Sequence, residues 1–289
     1  MATKKWGIIM KFIEKEIYDE ERALYGSDGL HLYECRFDGA RDGESAFKES
    51  RNIRTDKCYF NLRYPFWHDE NVEINDCEMT EFCRAALWYS QNIKINSSKL
   101  HGIKALRECA DISISDSDVV STEFGWFSKD ISIKNSAAQG EYFMLRAERL
   151  GFDNVTLKGK YSFQYITDST FENCNFDTKD AFWHAKNVVV KNSVIKGEYL
   201  GWYCENVTFE NCIISGTQPL CYCKGLKLIN CEMHDADLSF EKSDVTAEIN
   251  TDIISIKNPT SGKISAPHVK EIIMNDENAK CILDIGDQK

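Results

Sequence analysis

Six side chains with the chemistry of a ligand site recur at one constant spacing and fall in two groups, first Tyr161, Asp180 and Tyr199, and then Tyr165, His184 and Tyr203. Phenol rings pack against the apolar faces of other rings, and their hydroxyls form hydrogen bonds. A carboxylate and an imidazole can act as general acid and base. We therefore expect the six residues to form a ligand-binding surface, with Asp180 and His184 as the candidate catalytic pair.

The spacing arises from an internal repeat, which decides the fold. Residues 187–197 and 206–216 read NVVVKNSVIKG and NVTFENCIISG, and related segments occur along most of the chain. We call the first residue of each copy position zero. The copies begin at Gly29, Asn52, Asn71, Asn92, Asp111, Asp130, Arg149, Asp168, Asn187, Asn206, Gly225 and, more faintly, Asp244. From Asn92 onwards, each copy begins the same number of residues after the one before it, for example Asn206 after Asn187. The three earlier intervals differ in length, because two of them carry small insertions.

Each copy contains the pattern of short strands joined by bends. Positions +1 and +3 are apolar while +2 and +4 are mostly polar, as in a half-buried strand. Position +5 is usually Asn or Asp, which tolerate left-handed backbone. Position +8 is apolar, and a third apolar run closes the unit. Three short strands in so short a unit predict one coil of a parallel β-helix, and right-handed crossover is the strong default.

The predicted fold is all-β, a right-handed single-stranded parallel β-helix of about 11–12 coils with three short sheets and terminal caps. We assign residues 1–28 to an N-terminal cap, in which Glu14 to Leu24 is compatible with a helix. Residues 29–244 form the repeats, and residues 245–289 form the last irregular coils and a C-terminal cap. All belong to one structural domain, because no linker rich in Gly, Ser or Pro divides the chain.

The predicted third strand carries two columns of aromatic residues, numbered backwards from the next position zero. Trp occupies position −4 in several coils, and position −3 is often Tyr, His or Phe. Strand alternation would put the Trp column inside and the Tyr/His column outside. However, the larger residue is at position −5 in some coils and at position −6 in others, as in Ala181-Phe182 and Leu200-Gly201. A regular strand does not require such a compensation. Which column faces solvent is therefore left open.

Cysteine usage favours packing over metal binding. Six of the twelve cysteines share position +6, namely Cys35, Cys58, Cys77, Cys174, Cys212 and Cys231. A column of small residues is expected to point inward, where Cys acts as a small apolar residue. Cys204, Cys221 and Cys223 lack paired zinc-ligand spacing. We expect no metal or cofactor.

The chain contains no signal-peptide pattern and no apolar stretch of membrane-spanning length. We therefore expect a cytoplasmic protein with reduced thiols. The formal net charge is −11 with scattered acidic residues, which disfavours a nucleic-acid partner.

Two functions remain open at this point. The first is a non-catalytic binding or scaffold module whose outer aromatic sheet takes a neutral glycan or a protein, or pairs with a second copy of the chain. The alternative is a carbohydrate-active enzyme, a lyase or glycosidase, acting on the same face. Such enzymes need a calcium-binding Asp cluster or paired carboxylates, and neither is evident. His68 and His184 lie six coils apart, roughly 29 Å, and cannot act together.

The repeat also resembles a family. With residues 21–25 (ERALY), 218–224 (QPLCYCK) and 255–262 (SIKNPTSG), the chain resembles an uncharacterised family of bacterial right-handed β-helix proteins. The resemblance covers nearly the whole chain and implies a pectin-lyase-like fold. It implies no activity and no catalytic residues.

Overall fold

The computed structural model describes residues 3–5, 7–39 and 44–286. Every regular element within these ranges is a β-strand, and they contain no helix with the length and apolarity to cross a membrane. The chain divides into two compact units, residues 1–141 and 142–289.

Unit 1 contains fourteen strands. They are β1 Thr3–Lys5, β2 Ile8–Glu14, β3 Ile17–Tyr18, β4 Asp28–Tyr33, β5 Arg36–Phe37, β6 Arg51–Asp56, β7 Tyr59–Phe60, β8 Glu70–Asn75, β9 Glu78–Met79, β10 Gln91–Asn96, β11 Lys99–Leu100, β12 Ala110–Ser115, β13 Asp118–Val120 and β14 Lys129–Glu141. Apart from β1, which is antiparallel to β2, each strand pairs in parallel with the strand one coil away.

The register of unit 1 follows the repeat residue by residue. Ile93 pairs with Ile112 across a regular step, while Leu30 pairs with Ile53 across the first of the longer steps. Val72 pairs with Ile93 across the second longer step. The predicted parallel β-helix is therefore confirmed, including its two insertions.

The N-terminal segment differs from the sequence-based expectation. Residues 8–18 form β2 and β3, which pair in register with β4 and β5, and no helix lies between Glu14 and Leu24. The helical expectation is wrong because Ile17 and Tyr18 pair with Arg36 and Phe37 and thus satisfy their backbone as a strand.

Unit 2 contains thirteen strands. They are β15 Glu148–Lys160, β16 Thr167–Glu172, β17 Asn175–Lys179, β18 Lys186–Lys191, β19 Val194–Lys196, β20 Glu205–Glu210, β21 Ile213–Ser215, β22 Leu226–His234, β23 Asp244–Ile249, β24 Ile253–Lys257, β25 Ser261–Ala266, β26 Val269–Ile273 and β27 Ile282–Ile285. Most pair in parallel across the regular step of the repeat, as Val188 does with Val207. The step is shorter by two where Asp244 pairs with Ser261.

The third run of each coil is a turn-rich segment, not the regular strand that the sequence suggested. In the five runs of unit 2 up to Tyr222, positions −7, −5 and −3 all have positive φ, for example Asp180 (53°), Phe182 (60°) and His184 (57°). Alternating left-handed residues turn two successive side chains inward, so Ala181 and Phe182 are both fully buried. This explains why the larger residue alternates between positions −6 and −5 in different coils: both side chains share the same part of the core.

The core is a stack of equivalent side chains. In unit 2, Phe163 stacks on Phe182 with ring centroids 4.9 Å apart. The prediction that position +6 points inward is confirmed, because all six of its cysteines are at most 3% exposed. All twelve cysteines are free thiols.

One buried carboxyl stands out in unit 1. Asp69 is 1% exposed and lies at position −2 between Ser50 and Ser90. Its Oδ1 accepts a hydrogen bond from the Ser50 N–H at 3.0 Å, but Oδ2 has no partner. Burial raises the pKa of Asp69 to about 9.

We predict that Asp69→Ser stabilises the protein at neutral pH, since Ser retains an acceptor for the Ser50 N–H. In the unfolded chain the carboxyl has a pKa of about 3.9, whereas in the folded protein its pKa is about 9, so it keeps its proton at neutral pH. The wild-type free energy of unfolding should therefore fall as the pH rises through this window. Urea unfolding should show the variant more stable by about 1–4 kcal/mol at pH 8 and little changed at pH 4. A difference independent of pH would contradict the assignment.

Candidate ligand-binding site

Four rings of unit 2 form one continuous stack, which we call the aromatic column: Tyr165, His184, Tyr203 and Tyr222. Successive ring centroids are 4.6, 5.0 and 4.9 Å apart, and the interplanar angles are 8°, 9° and 14°. These separations match the spacing of roughly 4.8 Å between neighbouring coils, so each ring lies one coil from the next.

The backbone holds the aromatic column in place. The N–H groups of Tyr165, His184 and Tyr203 each donate to a carbonyl of the next coil, at 2.7, 2.8 and 3.0 Å. All four residues have left-handed backbone, with φ between 57° and 61°. The column therefore inherits the regular spacing of the coils.

The outer edges of the rings face solvent. Tyr165 is 40% exposed and Tyr203 is 47% exposed. A charged residue flanks each end: the Arg146 guanidinium lies 4.7 Å from the Tyr165 ring centroid, and the Tyr222 hydroxyl donates to Glu241 Oε2 at 3.3 Å. The column thus presents ring edges and polar tips along four coils.

Two tryptophans line the aromatic column on one side. Trp183 and Trp202 stack at 5.3 Å with planes 4° apart, and their indole N–H groups donate to the carbonyls of Tyr199 (2.6 Å) and Gln218 (2.8 Å). Both side chains are half-buried. Regular strand alternation would point Trp at position −4 inward, a question that the sequence left open, but both side chains lie outside the core because the turn places positions −6 and −5 there.

The residues at position −7, which we call the −7 group (Tyr161, Asp180 and Tyr199), are less exposed than Tyr165, His184 and Tyr203. The ring of Tyr199 lies edge-on to that of Trp202, with ring centroids 5.6 Å apart. The rings of Trp202 and Tyr203 are also edge-on, with centroids 6.4 Å apart. Tyr161 stacks instead on Tyr142, at 4.7 Å. The structure therefore joins Tyr165, His184 and Tyr203 directly and adds Tyr199 through Trp202.

Sequence reasoning did not include Tyr222, Trp183 or Trp202 among the site residues. Their places in the repeat were the available signal. Tyr222 occupies the same position −3 as His184 and Tyr203, and the two tryptophans share position −4.

Burial is the largest cause of the pKa shift in both candidate catalytic groups, and it acts in opposite directions on an acid and a base. Burial raises the pKa of Asp180, with a further rise from the Glu198 charge and an opposing effect of Lys179. Burial alone lowers the pKa of His184. The acid/base role of this pair stays a prediction. Among the residues that the structure describes, no group of three or more His, Cys, Asp or Glu side chains could hold a metal ion.

The sequence of this chain matches the family described as "Protein of unknown function (DUF3737)" over residues 11–284. The chain belongs to this family. Membership in the DUF3737 family confirms the predicted resemblance to an uncharacterised family. A search of the curated proteins gave no match.

Several solved structures are similar to this DUF3737 chain. The surface protein and adhesin PfbA of Streptococcus pneumoniae is 8% identical, with 95% of this chain and 91% of that chain covered and a TM-score of 0.44. The A-module of the mannuronan C-5 epimerase AlgE6 of Azotobacter vinelandii is 11% identical, with coverages of 96% and 90% and a TM-score of 0.44. A mannuronic acid specific polysaccharide family 6 lyase from human gut microbiota is 12% identical, with coverages of 72% and 70% and a TM-score of 0.43.

We predict that His184 titrates below the ordinary histidine pKa of about 6.5, because its flanking rings exclude water from the imidazolium. Tyr203→Ala removes one of these rings and should move the pKa of His184 upward. Two-dimensional NMR of the imidazole protons against pH measures both values. An unchanged pKa in the variant would show that the column does not desolvate His184.

Proposed function

We propose that the aromatic column of unit 2 is a non-catalytic binding surface for a neutral carbohydrate chain. The observation that carries this proposal is the placement of bulky exposed rings on left-handed backbone. Gly and Asn adopt that backbone most readily, and other L-residues lose roughly 1–2 kcal/mol there. The local conformation therefore does not explain why Tyr165, His184, Tyr203 and Tyr222 are aromatic.

Ring stacking offsets this cost without exceeding it by much. An aromatic pair contributes about 0.5–1.5 kcal/mol beyond the area that it buries. This is similar to the cost of one left-handed bulky residue, so the stacking term alone does not explain the aromatic column. Adjacent exposed rings on one surface support a role in recognition.

The charges beside the column favour a neutral ligand. At position −1, Lys186 Nζ lies 3.1 Å from Glu205 Oε1, and Lys179 Nζ lies 4.0 Å from Glu198 Oε2 near the −7 group. These opposite charges balance each other. Tyr hydroxyls, the His184 imidazole and the exposed ring edges can bind the hydroxyl and C–H groups of sugars.

We predict that the triple variant Tyr165→Ala, His184→Ala, Tyr203→Ala loses binding to neutral oligosaccharides. The wild-type protein is screened on a panel of glucose, mannose, galactose and xylose oligomers, and the strongest binder is titrated by calorimetry. The affinity should fall by at least about tenfold, equivalent to ~1.4 kcal/mol, because three adjacent contacts are removed. Circular dichroism confirms that the variant is folded.

Tyr25→Ala is the matched control, because Tyr25 is also 47% exposed but lies in unit 1. It should leave the affinity unchanged. Equal loss in both variants, or no loss in the triple variant, would contradict the proposal. If the column instead covers a second copy of the chain, light scattering will show a dimer that the triple variant dissociates.

The second candidate function, a carbohydrate-active enzyme, is favoured by one observation. Burial and the Glu198 charge raise the pKa of Asp180, as is required of a carboxyl that donates a proton to a leaving sugar. Glu198, whose charge acts on Asp180, is the candidate for the second carboxylate that glycoside hydrolysis needs. Reducing sugar released by the wild type and abolished in Asp180→Asn would establish this function in place of the first.

A further inference from the structure

The outward positions −4 and −3 of unit 1 are interrupted in one coil. Position −4 carries Trp67, Trp88, Arg107 and Trp126 in successive coils, and position −3 carries His68, Tyr89, Glu108 and Phe127. His68 and Tyr89 stack at 4.8 Å, as the rings of the aromatic column do. Glu108 therefore leaves a gap of one ring between Tyr89 and Phe127 at position −3.

The Arg107 guanidinium lies among three surrounding rings. Its guanidinium carbon lies 5.2 Å from the Trp88 ring centroid, 5.8 Å from that of Trp126 and 5.4 Å from that of Phe127. Cation–π contacts of this kind restrict the guanidinium without using its N–H groups, which stay available for hydrogen bonds. The side chain is 30% exposed.

The hydrogen bonding of this guanidinium is incomplete. Arg107 Nε donates to Glu108 Oε1 at 3.4 Å, a long contact to a side chain that is itself 46% exposed. The terminal NH2 groups make no hydrogen bond among the described residues. An arginine fork that is held among rings and only weakly paired is suited to binding a carboxylate.

A shallow cavity of about 560 Å³ adjoins this group, and we call it the notch. It is lined by Arg107, Glu108, Cys109, Ala110, Phe127 and Lys129. Phe127 is 43% exposed and supplies an apolar wall. Lys129 adds a second positive charge, so the lining carries two cations and one carboxylate.

We propose that the notch binds a small carboxylate attached to a ring. Equivalent positions of neighbouring coils lie roughly 4.8 Å apart. A ligand ring at the Glu108 level therefore completes the interrupted row and stacks on Phe127. Its carboxylate pairs with the fork of Arg107 and with Lys129.

Glu108 competes with the ligand in this arrangement, because its carboxylate already occupies Arg107 Nε. Its exposed side chain can turn into solvent when the ligand enters. Removing its charge should tighten binding, a gain that a purely structural ion pair does not predict.

The test titrates sodium benzoate into the full-length protein and follows the backbone amides of Ala110 and Phe127 by NMR. Arg107→Gln should weaken binding by about tenfold or more, and Arg107→Lys should also weaken it because Lys lacks the planar fork. Phe127→Ala should weaken benzoate binding, whereas Glu108→Gln should tighten it. Lys94→Gln, an exposed charge at another position of the coil, is the control and should have no effect.

Acetate, inorganic phosphate and benzyl alcohol separate the two parts of the site. Each should bind more weakly than benzoate, because acetate and phosphate lack the ring and benzyl alcohol lacks the charge. Benzoate binding that is unchanged in Arg107→Gln would overturn the proposal. So would acetate or phosphate binding as tightly as benzoate, or an absence of benzoate binding in both the wild type and Glu108→Gln.

Discussion

The in-register parallel pairing of successive coils is the constraint on which the remaining structure depends. Each strand residue pairs with its equivalent one coil away, as Val207 does with Val188. Because the coil spacing is roughly 4.8 Å, a side chain at one position lies directly against its counterparts. The same rule stacks Phe163 on Phe182 in the core and makes Asn211 donate to Asn192 (3.1 Å) at the bend.

Stacking of coils places residues side by side whether or not their types favour the local backbone conformation. Left-handed backbone at position +5 suits Asn192 and Asn211, whose short amides tolerate it. The same conformation at position −3 holds His184 and Tyr203, which it does not favour. The core residue Phe182 shares this conflict between residue type and backbone, but Tyr203 carries it at an exposed position.

Departures from the column pattern are equally informative. Asp69 lies at the inward position −2, where the neighbouring coils have serine. Its Oδ1 still accepts a hydrogen bond, but its Oδ2 has no partner in the core. Arg107 and Glu108 replace rings on an outward surface, where the substitution opens a cavity beside a guanidinium held among rings. In a repeat, a single changed residue is flanked by unchanged neighbours, so its chemical consequence is confined to one coil.

The sequence by itself determined the coil period, the insertions before Asn92, the inward direction of position +6 and the stacking of Tyr165, His184 and Tyr203, because all of these follow from translation along a fixed repeat. It did not determine the shape of the third run. Apolar alternation there resembles a strand, whereas alternating left-handed residues such as Asp180, Phe182 and His184 turn two neighbours inward. Only the tertiary structure decided that Trp183 and Trp202 lie half-buried outside the core. Their position depends on indole hydrogen bonds to carbonyls of the following coil, at Tyr199 and Gln218, and side-chain periodicity carries no information about such contacts.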